Sequence, residues 1–88
     1  MKEQKVTIQN KLGLHARAAA SFSKQASEFI SDIFVMKDRM EVNGKSIMEL
    51  LTLAATRGSS IVIKARGDDE AQAIKALADL VKKGFGEN

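Results

Sequence analysis

Polar and apolar residues alternate at Lys5-Val6-Thr7-Ile8, which predicts a strand with Val6 and Ile8 facing inward. From residue 16 to about residue 27 the pattern changes to helical spacing, with Ala16, Ala19, Phe22 and Ala26 on one face. Phe29 and Ile30 are expected to lead the chain back over the core. Ile33-Phe34-Val35-Met36 reads as a second strand and Met40-Glu41-Val42 as a short third, joined tightly through Asp38-Arg39. Asn43-Gly44 ends the third strand in turn chemistry. Ser46-Ile47-Met48-Glu49 has the form of a capping box, in which the Ser46 hydroxyl accepts the Glu49 amide and the Glu49 carboxylate reaches back to the Ser46 amide. A short helix should follow to about Leu53, and Arg57-Gly58-Ser59 breaks the pattern. Ser60-Ile61-Val62-Ile63-Lys64-Ala65 is a fourth strand. Asp68-Asp69-Glu70 places negative charge at a helix start, Ile74, Leu77, Ala78 and Val81 form one apolar stripe, and Lys82-Lys83-Gly84 supplies a basic last turn and a stop.

The resulting order is β-α-β-β-α-β-α, an α+β arrangement in which an antiparallel or mixed sheet carries its helices on one face. Eighty-eight residues, 44% of them hydrophobic, are expected to form one domain over 1–88. With no cysteine and one histidine, neither a thiolate nor a multi-histidine metal site can be built. The opening residues are polar and alternating, unlike a signal peptide, and no apolar run approaches membrane-spanning length, so a cytoplasmic location without membrane insertion is expected. A net charge of +3, from 14 basic and 11 acidic residues, suits an acidic partner but is too mild to indicate nucleic acid.

The chemistry concentrates in Asn10-Lys11-Leu12-Gly13-Leu14-His15-Ala16-Arg17. His15, the only histidine, follows a glycine-containing loop and opens an alanine-rich helix. The amides of a first helical turn have no intrahelical acceptor, and the helix dipole favours an anion beside them. Arg17, in the same turn, brings a planar cation with several donors. The small neighbours Ala16, Ala18, Ala19 and Ala20 let a partner approach. A nucleophilic imidazole with local means of stabilising a phosphoryl group is the sharpest reading. A surface or packing histidine is the bland one.

Gly13-Leu14-His15-Ala16-Arg17 and Asn43-Gly44-Lys45-Ser46-Ile47-Met48, at this separation, resemble the two signatures of HPr. HPr is the histidine-containing phosphocarrier family of the bacterial phosphoenolpyruvate-dependent sugar phosphotransferase system. Length and element order agree with it across essentially the whole chain. The resemblance implies an open-faced sandwich, with a four-stranded antiparallel sheet and three helices on one face. It implies that phospho-enzyme I passes its phosphoryl group to His15 Nδ1, and that His15 passes it on to a histidine of an enzyme IIA domain. Arg17 would neutralise the phosphoryl oxygens, and the amides of Ala16 and Arg17 would donate to them. Ala18 stands where the family usually has proline, so its N–H is an added donor near the phosphate or the loop.

The resemblance also implies an apolar docking patch from Leu12, Ala16, Ala20, Ile47, Met48 and Leu51, ringed by Lys24 and Lys45, with Leu50 and Leu53 left to serve the core. It gives Ser46 a second role beside capping. The matching serine of some relatives is phosphorylated by HPr kinase/phosphorylase, which hinders transfer from enzyme I and promotes binding to a transcriptional regulator. The protein is then a monomeric carrier rather than an enzyme, with no cofactor and no metal. Alternatives are a paralogue in the nitrogen-related phosphotransferase branch, a purely regulatory relative working through Ser46, and, remotely, a nucleic-acid-binding α/β domain. The last lacks an aromatic platform: there is no Tyr or Trp, and of four Phe only Phe34 falls in a predicted strand.

Overall fold

In the computed structural model, which describes residues 1–86, the elements follow the order expected from the sequence. They are β1 (Lys2–Thr7), α1 (Ala16–Ala26), β2 (Asp32–Lys37), β3 (Met40–Asn43), α2 (Ile47–Thr52), β4 (Ser60–Arg66) and α3 (Glu70–Lys82), closed by a 3₁₀ turn at Gly84–Gly86. The strands form one sheet in the order β1-β4-β2-β3, and every neighbouring pair is antiparallel.

Strand alternation decides what faces the helices. Val6, Ile33, Val35, Val42, Ile61, Ile63 and Ala65 are buried, while their neighbours Lys5, Phe34, Val62 and Lys64 stay exposed or half-buried on the open face. Against the buried face lie Phe22 and Ala26 of α1, Leu50 of α2, and Ile74, Leu77, Ala78 and Val81 of α3. Burying a side chain such as Phe22 contributes about 1.5–3 kcal/mol. The open face carries one aromatic residue, Phe34; Phe22 and Phe85 are buried and Phe29 packs against the core. The exposed side of the sheet therefore offers no base-stacking platform, against the nucleic-acid reading.

Several local expectations are corrected. β1 begins at Lys2 and ends before Ile8, because Ile8 leaves the ladder to exchange hydrogen bonds with the turn before β4. Its N–H donates to Ser59 O at 2.9 Å and its carbonyl accepts Gly58 N at 2.9 Å. Ile8 is buried all the same. On α1, Ala16 is exposed and Ala18 is buried in its place, since the inward stripe runs through Ala18, Ala19, Phe22 and Ala26. Phe29 does pack on the core, but Ile30 is 75% exposed.

The backbone at Ile30 is bound by Asp69. This residue occupies the N-cap position of α3 but makes no side-chain cap to its own helix. Its carboxylate instead accepts the amides of Ile30 and Ser31, both at 3.0 Å, and the Ser31 hydroxyl. The start of α3 is thereby tied to the turn between α1 and β2. The Ser31 hydroxyl, helped by the two amides, holds the Asp69 carboxyl below the usual carboxylate range. A carboxylate with a lowered folded-state pKa contributes stability that is fully present above its unfolded pKa and lost as pH falls through the folded one. Acid unfolding followed by far-UV circular dichroism should therefore lose part of its steepness below about pH 4 in Asp69→Asn. An unchanged acid profile would remove Asp69 from the account.

Candidate functional site

His15 is half-buried and occupies the N-cap position of α1, with extended backbone angles (φ −82°, ψ −178°). Its carbonyl accepts the first helical hydrogen bond, from Ala19 N at 2.8 Å. Ala16, Arg17 and Ala18 are thus the first three helical residues, and their amides precede the intrahelical ladder. Its side chain makes no capping bond to that turn, and no acidic residue lies there. Arg17 is exposed one position beyond the first turn's start, and the Ala18 side chain is buried while its amide stays in the set.

The loop before His15 is fastened from both sides. Asn10 Nδ2 donates to Gly13 O at 2.7 Å, and Gly13 N donates to Asn10 O at 3.1 Å. Leu14 N donates to Ala55 O at 2.9 Å, which joins the loop to the segment after α2. Gly13 has φ +66°, and a Cβ there would stand 2.5 Å from Ala55 O. Only glycine meets both the left-handed angle and the close backbone approach.

Ser46 is the N-cap of α2, and its hydroxyl accepts Glu49 N at 3.2 Å. The reciprocal half of the capping box is not formed. The Glu49 carboxylate accepts Asn43 N at 3.1 Å, while Ser46 N donates to Asn43 O at 3.1 Å. The tight turn at Asn43 satisfies the Ser46 amide first, so Glu49 reaches one turn further back. Ser46→Ala should then cost about 1 kcal/mol, read as a shift in the urea midpoint at constant slope.

Leu50 and Leu53 enter the core, whereas Ile47, Met48 and Leu51 are 42%, 81% and 39% exposed. Leu12, Ala16 and Lys24 are exposed and Ala20 is half-buried. An amphipathic helix that leaves three of its larger apolar side chains on the surface has the composition of a contact patch rather than of a core helix. α1 and α2 pack together. Lys45, expected in the basic ring, is half-buried, and its ammonium donates to Phe29 O at 2.8 Å.

Two contributors are invisible as motifs. Ser23, buried on the inner face of α1, donates to Lys45 O at 2.8 Å and sets α2 against the His15 helix. Ala55 supplies the carbonyl that seats Leu14. A serine in the Ala19–Phe22–Ala26 stripe was the one available signal for the first. The second acts through its backbone and left none.

Among the described residues no group of three or more His, Asp or Glu is placed to hold a metal ion, and no helix is long and apolar enough to cross a membrane.

Residues 2–83 match a family model described as the PTS HPr component phosphorylation site. The phosphocarrier protein HPr of Neisseria meningitidis (serogroup A) is 51% identical over 87 residues, which cover 99% of this chain and 98% of that one. The crystal structure of HPr-C-His from Thermoanaerobacter tengcongensis superposes with a TM-score of 0.95 at 51% identity, covering 100% of this chain and 99% of that one. An HPr dimer from the same organism matches at a TM-score of 0.79 and 52% identity, covering 99% of this chain and all of the other.

Proposed function

Because this chain belongs to the HPr family of phosphotransferase-system phosphocarriers, we propose that His15 is its phosphoryl-accepting residue, charged by phospho-enzyme I and discharged to enzyme IIA domains in sugar uptake. The observation that carries this reading is the position of His15, at the head of α1 with Arg17 and the amides of Ala16, Arg17 and Ala18 in the same turn. The P–N bond of the donor breaks as a P–N bond to His15 Nδ1 forms, and the reverse exchange hands the group on. Such transfer depends on positioning and on compensating the charge of the three phosphoryl oxygens. Arg17 supplies a fixed cation and the first-turn amides supply donors. The loop clasped by Asn10 and Ala55 holds the imidazole in place. The phosphoramidate stays reactive, so the group remains transferable. The protein is a carrier rather than an enzyme, and it works in the cytoplasm as a monomeric domain spanning 1–88.

Docking uses Leu12, Ala16, Ala20, Ile47, Met48 and Leu51, with Lys24 and Lys45 at the rim. Met48 is the most exposed of the large apolar residues in the patch. Met48→Asp should raise the apparent KM for this protein in both enzyme I and enzyme IIA assays by about 10-fold or more while changing stability by less than about 0.5 kcal/mol. Unchanged KM values would take the patch out of the reading.

Ser46 is the regulatory site, phosphorylated by HPr kinase/phosphorylase, with a transcriptional regulator as the partner of the modified form. A phosphate there sits at a helix N-terminus, which the fold tolerates, and it places negative charge beside the exposed apolar patch. The test of the whole is incubation with phosphoenolpyruvate and enzyme I, followed by a search for one acid-labile phosphoryl group per chain. A parallel incubation with ATP and the kinase should give an acid-stable group at Ser46.

A further inference from the structure

Away from His15, a groove of about 470 Å³ lies between the residue 9–11 loop, Arg57 and the end of α3, and its lining includes Gln9, Lys11, Arg57, Lys82, Lys83 and Gly84. Four of its lining side chains are cations and none is a carboxylate. Lys11, Arg57, Lys82 and Lys83 are all exposed, and none has a carboxylate partner among the described residues. Like charges gathered around one concavity repel one another, and the field they set up there attracts anions.

Lys82 and Lys83 by themselves would be accounted for by the negative end of the α3 dipole. Lys11 and Arg57 have no such explanation, since they come from two loops that meet through the Ile8–Ser59 and Gly58–Ile8 hydrogen bonds. Three separate segments thus bring cations to the same small volume.

We propose that this groove binds a small molecule carrying two phosphate groups. A single phosphate would leave about half of the positive charge uncompensated, whereas two can be shared between Lys11 with Arg57 and Lys82 with Lys83. Arg57 contributes a planar fork suited to two phosphate oxygens, and the Gln9 amide a neutral donor. The volume falls within the range of small-molecule sites. The site stands independently of the role given to His15. The two are nonetheless neighbours along the chain, because the residue 9–11 loop runs directly into the Asn10–Gly13 clasp that seats the histidine.

The experiment is a ¹H–¹⁵N NMR titration with inorganic pyrophosphate, with orthophosphate and a poly-glutamate peptide run at matched ionic strength. The expected result is saturating shifts at Lys11, Arg57, Lys82, Lys83 and Gly84 with a Kd of roughly 0.1–1 mM. Orthophosphate should bind several-fold more weakly, and pyrophosphate binding should weaken about 10-fold or more in the Arg57→Gln/Lys83→Gln double variant. Both substitutions are at exposed positions, and an unchanged circular dichroism spectrum would show that the variant folds. Shifts confined to residues 15–18, a linear response without saturation, or equal affinity in the double variant would each overturn the proposal. So would saturation by the peptide alone, which would mark the groove as a surface for an acidic protein.

Discussion

His15→Ala is expected to reduce phosphoryl uptake from phosphoenolpyruvate and enzyme I to the labelling background, a fall on the order of 10⁴-fold or more. The substitution removes the nucleophile, and no second histidine exists to take its place. The fold should survive. The His15 side chain makes no capping bond to the first turn of α1, and the hydrogen bond that starts the helix uses its backbone carbonyl, which alanine keeps. Stability is therefore expected to change by less than about 1 kcal/mol. Labelling by acid-labile phosphate and thermal unfolding by circular dichroism check the two halves separately. A folded variant that still took up one acid-labile phosphoryl group would transfer the function to another residue. A wild type that took up none would leave His15 a structural residue and turn attention to Ser46.

Gly13→Ala is expected to damage stability and transfer together. The residue has φ +66°, where a Cβ costs about 1–2 kcal/mol. That Cβ would also stand 2.5 Å from Ala55 O, a backbone atom that can move only with its loop. Adding about 1–3 kcal/mol for the forced displacement gives a loss of roughly 2–5 kcal/mol, read from the urea midpoint. Ala55 O is also the acceptor for Leu14 N, next to His15, so the displacement should loosen the histidine. Because small misplacements of a reacting group are costly, transfer should slow by about 10-fold or more, in folded protein at low temperature. An alanine variant as stable and as fast as the wild type would show that the Asn10–Gly13–Ala55 clasp does not position His15.

Much of this molecule was legible in its one-dimensional pattern. The four strands and three helices are legible from alternation in β1, short apolar runs, the helical spacing of α1 and α3 and the capping box of α2, and the apolar stripe of α3 lies in the core as its spacing implies. The partly exposed face of α2 was also readable, because Leu50 and Leu53 were enough to serve the core and left Ile47, Met48 and Leu51 over. The failures have a common origin in competition for polar groups. Glu49 was expected at the Ser46 amide, but Asn43 O had already satisfied it. By its sequence position Asp69 is only charge at a helix start, but the loop after α1 presents two amides and a hydroxyl to it from a distant part of the sequence. Ala16 and Ala18 exchanged places because alanine is too small for periodicity alone to set the phase of a helix end.

The sequence by itself determined the element order, the inward face of β1, the candidacy of His15 with Arg17, and the capping role of Ser46. Each is a local property of residue type and spacing, and local rules suffice for it. Only the tertiary structure decided which loop holds His15, that Ser23 joins α1 to Lys45, and that Lys11 and Arg57 share a groove with Lys82 and Lys83. Those pairings join residues far apart in the chain, through backbone carbonyls and surface charges that have no period. They exist only once the sheet order β1-β4-β2-β3 has brought the β1–α1 loop beside the turn before β4.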